Sequence, residues 1–123
     1  MILVDTTVWI DHFRKGEPKL ARLLENGQVL MHPFVVGELA CGNLHNRHEV
    51  LDLVERLPQA SVASEVEARL FLERHALMGR GVGYLDVHLL ASVALDAPVR
   101  FWTKDRRLAA AAADLGVPLI AED

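Results

Sequence analysis

The sequence predicts an α/β fold built on a central parallel sheet. Three observations predict it. Short, wholly apolar runs recur along the chain, and stretches with helical start and stop signals stand between them. The runs do not alternate polar and apolar residues, which suits strands buried on both faces. The chain has 123 residues, half of them apolar, so one domain over 1–123 can bury a core without staples.

The run Ile2–Val4 reads as the first strand. Runs at 29–31, 99–102 and 118–121 read as three more, with 61–63 a weaker fifth. Pro18 suits a first helical turn, Leu20, Leu23 and Leu24 share a face, and Gly27 closes that helix. Val50, Leu51, Val54 and Leu57 form a second stripe, stopped by Pro58. Ser64 to Glu67 fit a capping box, and Val66, Leu70 and Leu77 carry that helix to Gly79. Residues 79–83, Gly-Arg-Gly-Val-Gly, form a turn-rich loop. Leu85, Leu89 and Val93 mark the next helix. Leu108, Ala112 and Leu115 mark the last, closed by Gly116 and Pro118. No repeat, low-complexity tract or linker interrupts the pattern.

Composition excludes several classes. The single cysteine, Cys41, rules out an intramolecular disulfide and fits a reducing compartment. No run approaches the ~18 apolar residues that span a bilayer, and no basic-then-apolar leader opens the chain. The expected location is the cytoplasm, with no membrane partner. Net charge is −4. A protein that grips phosphates through lysine and arginine alone is usually basic. Either nucleic acid is not the ligand, or something else supplies positive charge.

The acids resolve this. Ligands of open α/β sheets bind at the C-terminal ends of strands. Asp5 follows the first strand, and Asp105 follows the run at 99–102 after Thr103 and Lys104. Glu38 lies in Phe-Val-Val-Gly-Glu-Leu-Ala-Cys, otherwise apolar or small. Asp86 opens a helix, on the face of Leu89, Leu90 and Val93. Singly, each has a structural reading. Asp5 and Asp105 suit N-caps, and Asp86 suits a helix N-terminus. Glu38 is harder to excuse, because an acid among apolar groups is costly unless paired. Four unrelated caps, however, need not converge. Carboxylates that do converge repel one another, and a divalent cation resolves the repulsion. Oxygen ligands suit Mg²⁺ or Mn²⁺, and Mg²⁺ readily binds substrate phosphates. Arg14, Lys15, Lys104, Arg106 and Arg107 add possible phosphate contacts, although solvated surface charge is the simpler reading for most of them.

The sequence resembles the PIN-domain ribonucleases, and among them the VapC-type toxins of bacterial toxin–antitoxin pairs. The residues that carry the resemblance are Val4-Asp5-Thr6-Thr7-Val8-Trp9-Ile10, Val36-Gly37-Glu38-Leu39, Gly83-Tyr84-Leu85-Asp86 with the residues to Ser92, and Trp102-Thr103-Lys104-Asp105-Arg106-Arg107-Leu108. The motifs are individually weak, but their order and spacing are specific and cover essentially the whole chain. The family's acidic quartet falls on Asp5, Glu38, Asp86 and Asp105, with Thr6 and Thr103 as polar neighbours. The resemblance implies a three-layer α/β/α sandwich with a mainly parallel sheet of four to five short strands. It implies Mg²⁺- or Mn²⁺-dependent endonucleolytic cleavage of RNA. It also implies a homodimer and a cognate antitoxin protein whose C-terminal segment blocks the groove. Asp5 is expected as the central metal ligand, completed by Asp86 and Asp105, with Glu38 binding metal or orienting water.

Other readings are weaker. His45 and His48 have zinc-like spacing but no second pair. His88 lies on the opposite helix side from Asp86. The 79–83 glycines lack the preceding strand of a dinucleotide loop. Trp9, Phe34 and Trp102 are more naturally core than base-stacking platforms. The alternative function is a receiver-like phosphoacceptor or a catalytically silent RNA-binding module. A receiver needs clustered acids after the first strand and a lysine after the last, whereas Asp5 stands alone and no lysine follows Asp105. A silent module would normally have lost an acid, and none is missing.

Overall fold

The computed structural model describes residues 1–121. Strand β1 (Ile2–Val4) leads through α1 (Thr6–Lys15) and α2 (Pro18–Glu25) to β2 (Val29–Leu30). Then follow α3 (Pro33–Ala40), α4 (Arg47–Glu55), α5 (Glu65–Arg74), α6 (Tyr84–Leu95), β3 (Arg100–Trp102) and α7 (Arg106–Asp114). The sheet order is β2-β1-β3, parallel throughout. Every residue of β1 and β2 is buried, so helices must cover both faces, as parallel sheets require.

The described residues thus contain three strands rather than the four or five expected. The expected run at 118–121 survives as a single parallel bridge, Leu119 to Phe101 beyond β3, and a second bridge, Gln59 to Met31 beyond β2, forms just before the weak candidate at 61–63. Each bridge follows a proline. Pro58 and Pro118 accept bonds from Met31 N–H and Phe101 N–H, both at 2.8 Å. They have no N–H to return, so neither ladder extends backward through them. The weak candidate at 61–63 forms no strand, and Ser61 N–H instead bonds Asp96 Oδ2 at 2.7 Å.

The helix punctuation is largely as read. Ser64 and Glu67 form the predicted capping box of α5, each side chain bonding the other's backbone N–H. That helix stops at Arg74, short of Gly79, because Ala76 turns left-handed (φ 50°) and Leu77 enters the core off the helix. The Val66–Leu70 stripe also faces outward: these side chains are 68% and 62% exposed, while Ala68 is the buried face.

Helix α6 is the opposite case. Residues 87–93 are all buried, which makes α6 a fixed pillar through the core. Trp9 and Trp102 are core residues, as are Phe101, Leu3 and Leu90. His88 packs edge-on against Phe34 and Tyr84, and His32 lies against the same Phe34. His32 Nδ1 accepts the Phe34 N–H at 3.0 Å and so caps α3. Burial, with a smaller contribution from His88, lowers the His32 pKa to about 4, so the ring is neutral near pH 7. No helix among the described residues is long and apolar enough to cross a membrane.

Candidate metal centre

The parallel register places the two strand-end segments side by side. Val4 pairs with Trp102, and Asp5 N–H bonds the Trp102 carbonyl at 2.9 Å. Asp5 and Thr103 therefore leave the sheet as neighbours. Asp5 occupies the N-cap position of α1, yet its side chain makes no capping bond. Its Oδ2 accepts instead from Thr7 Oγ1 at 2.7 Å and Thr103 Oγ1 at 2.8 Å. Only 3% of the residue is exposed, so these hydroxyls replace lost hydration. The cap reading fails for Asp5.

For Asp105 the cap reading holds, and the site reading survives beside it. Oδ1 accepts from Arg107 N–H at 2.9 Å and Leu108 N–H at 3.2 Å, starting α7. Its own N–H donates to Thr103 Oγ1 at 3.0 Å. Asp86, in the first turn of α6, accepts Gly83 N–H on Oδ2 at 3.0 Å, the N3 half of a capping box. Glu38, on α3, accepts Thr6 Oγ1 on Oε1 at 3.0 Å. Glu38 is exposed rather than enclosed among apolar groups. Its apolar neighbours Val35 and Leu39 turn to the core while it faces out, so burial cost is not what makes it unusual.

A common pattern links the four. Each carboxylate fastens one oxygen to the scaffold, and the other takes no hydrogen bond among the described residues: Oδ1 of Asp5, Oε2 of Glu38, Oδ1 of Asp86 and Oδ2 of Asp105. Asp86 feels the other three. Burial pushes the Asp86 carboxyl above its usual range. The charges of Asp5, Asp105 and Glu38 push it the same way, against the downward pull of the Gly83 N–H. Among the described residues, no ion pair reaches any of the four.

Such donors suit a hard divalent cation: open carboxylate oxygens with no ion pair among the described residues, one of them on an acid whose pKa is raised by burial and by the charges of the other three. Among the described residues, no three His, Cys, Asp or Glu side chains form a ready cage for one ion.

The expected basic contacts divide. Lys104 is engaged by Asp11 and Glu17. Arg14 and Lys15 stand 4.0 and 3.9 Å from Asp11, largely in solvent. The Arg107 side chain lies over Gly81, where an added Cβ would meet its Cδ at 2.5 Å and where φ is +80°. The positive φ is what favours glycine there, since the Arg107 side chain could move aside. Thr7, which donates to Asp5 and accepts the Lys104 N–H, has no place among the polar neighbours expected from the sequence. The signal was available: a second threonine directly after Asp5-Thr6, one residue into a helix that the aspartate opens.

The PIN domain family model matches residues 2–114, which contain all four acids. Ribonuclease VapC32 of Mycobacterium tuberculosis, from strains CDC 1551 / Oshkosh and H37Rv, is 46% identical over 122 residues, covering 99% of this chain and 98% of that protein.

Proposed function

The chain belongs to the PIN-domain family, and from that premise we propose that it is a metal-dependent endoribonuclease, the toxin of a toxin–antitoxin pair. The observation that carries this reading is the shared pattern of one fastened and one open oxygen on Asp5, Glu38, Asp86 and Asp105. The charges of the other three acids also reach Asp86, which supports their convergence. Near-complete alignment with proteins named as ribonucleases supports the substrate class.

In this reading Asp5, Asp86 and Asp105 hold Mg²⁺ or Mn²⁺, and Glu38 completes the cluster directly or through water. When bound, the ion supplies Lewis acidity toward the phosphodiester and a lowered pKa for attacking water. The chain's own part is positioning. Thr7 and Thr103 prevent the Asp5 carboxylate from rotating. The α7 amides fix Asp105, Gly83 fixes Asp86, and Thr6 fixes Glu38. These supports sit at strand ends and helix first turns, so little conformational freedom remains to be lost when substrate arrives.

The partners follow as part of the same proposal: RNA, a cognate antitoxin protein and a second copy of the chain. The outward Val66 and Leu70, with Leu95 also exposed, support a covered apolar face in a homodimer. The test is RNA cleavage by the purified protein in EDTA, in Mg²⁺ and in Mn²⁺, with Asp5→Asn as control. Cleavage restored by either ion in wild type, and absent from a folded Asp5→Asn, supports the reading. Equal cleavage in EDTA overturns it.

A further inference from the structure

Lys104 sits between two site residues, Thr103 and Asp105, but its side chain is committed elsewhere. Nζ donates to Asp11 Oδ2 at 2.9 Å and to Glu17 Oε2 at 2.6 Å. All three side chains are mostly shielded, at 22%, 25% and 19% exposure. Asp11 belongs to α1, and Glu17 immediately precedes α2. The lysine therefore ties the strand-end segment to two other parts of the chain. Its backbone joins the same network: Lys104 N–H donates to Thr7 Oγ1 at 3.0 Å. Thr7 in turn donates to Asp5.

Both hydroxyls that hold Asp5 consequently depend on residues 103–105. Thr103 reaches Asp5 directly, and Thr7 is oriented by the Lys104 amide. The segment has no regular secondary structure between β3 and α7. Strand pairing ends at Trp102, and the Asp105 cap bonds hold only its far end. Between them, among the described residues, the Lys104 backbone is held only by its N–H bond to Thr7, and the Asp11–Lys104–Glu17 clamp adds a side-chain anchor to two other parts of the chain. Loss of the ammonium would also leave two carboxylates facing each other without a counter-charge.

We propose that Lys104 is a positioning residue for the metal centre: its ion-pair clamp to Asp11 and Glu17 fixes residues 103–105, so that Thr103 and Thr7 hold Asp5 and Asp105 presents its open oxygen. This rests on the metal-centre reading above and goes beyond it, because the sequence suggests for Lys104 a phosphate contact or a solvated charge. A phosphate contact governs substrate affinity. A clamp governs metal affinity and turnover.

The test compares wild type, Lys104→Met, Lys104→Arg and Glu17→Gln. The readouts are Mn²⁺ binding by calorimetry, kcat and KM on one RNA, and thermal melting. Groups that orient metal ligands typically cost about 10–100-fold in metal affinity or activity when removed. Lys104→Met should fall in that range for Mn²⁺ affinity and kcat, with KM little changed. Lys104→Arg, whose fork also bridges two carboxylates, should recover most of the loss. Glu17→Gln keeps the Asp11 bond and should fall between. It also tests the clamp if Lys104→Met does not fold.

A lowered melting point with wild-type Mn²⁺ affinity and kcat would make the clamp merely structural and overturn the proposal. A rise in KM alone would make Lys104 an RNA contact and overturn it as well. Wild type that binds no Mn²⁺ would overturn the metal-centre reading itself, and this inference with it.

Discussion

Replacing Thr103 by valine removes one hydroxyl while keeping the side chain's shape. In the native protein that hydroxyl donates to Asp5 Oδ2 at 2.8 Å, beside a second donor from Thr7 at 2.7 Å. A hydrogen bond to a charged group contributes about 1.5–3 kcal/mol net. The Asp5 carboxylate is almost fully buried, so water cannot readily replace the donor, and the upper half of that range applies. Thr103 also accepts Asp105 N–H. Asp105 is half-buried, so water takes much of that bond over and adds little to the cost. The expected loss is therefore about 2–3 kcal/mol, roughly 6–15 °C in melting temperature for a domain of this size. Urea unfolding in EDTA measures it without any metal contribution.

Thr103→Ser keeps the donor and should cost far less. The double variant with Thr7→Val should cost more than the two singles combined, by about 0.5–3 kcal/mol, because only then does Oδ2 lose its last donor. A Thr103→Val cost below about 0.5 kcal/mol, with an additive cycle, would refute the claim that these hydroxyls hold Asp5.

Asp86→Asn keeps an acceptor for Gly83 N–H and removes one of four crowded charges. The native Asp86 pKa is raised, so the folded state carries a penalty that grows as pH climbs above the ordinary carboxylate range. In EDTA the variant should gain about 0.5–2 kcal/mol at neutral pH, the gain should vanish in acid, and RNA cleavage should be lost; a neutral-pH loss of stability would contradict the crowding. Mn²⁺ at a hundred times its dissociation constant should stabilise wild type by about 2.7 kcal/mol and leave Asp5→Asn unmoved in melting experiments. Asp105→Asn preserves the α7 cap and should fold normally without cleaving, whereas Asp105→Ala should also lose about 1 kcal/mol. Equal stability of these two variants would show that the cap contributes nothing.

Much of this was legible in the chain. Asp5 announces itself because four apolar residues run straight into an acid, and a parallel sheet puts strand ends where ligands bind. The order of the four acids carried the family resemblance. What escaped depended on three-dimensional partners. Asp105 caps α7 through one oxygen and leaves the other open, a division that sequence has no means of expressing. Glu38 looked costly because its sequence neighbours are apolar, but helical geometry turns them inward and leaves it in solvent. Lys104 looked like surface charge because Asp11 and Glu17 are 93 and 87 residues away. The strand expected at 118–121 shrank to a bridge because Pro118 opens it, and 61–63 formed none. The Val66–Leu70 stripe has core periodicity yet faces outward, since periodicity marks an apolar face without saying what covers it.

The central claim is that the four carboxylates form a metal centre that hydrolyses RNA with water as the nucleophile. End-group analysis of one RNA, cut in Mn²⁺ or Mg²⁺, tests it most directly. Attack by water in line with the leaving 3′-oxygen leaves a 5′-phosphate and a 3′-hydroxyl, and the scissile 2′-hydroxyl is dispensable. Attack by the RNA's own 2′-hydroxyl leaves a 2′,3′-cyclic phosphate and needs a general base near the sugar, such as histidine. His32 and His88 are buried in the core among aromatic rings. Water attack gives 5′-phosphate and 3′-hydroxyl ends, with continued cutting of a substrate carrying a single 2′-deoxy substitution at the scissile nucleotide. A cyclic phosphate terminus would contradict it and reduce the four acids to caps and surface charge.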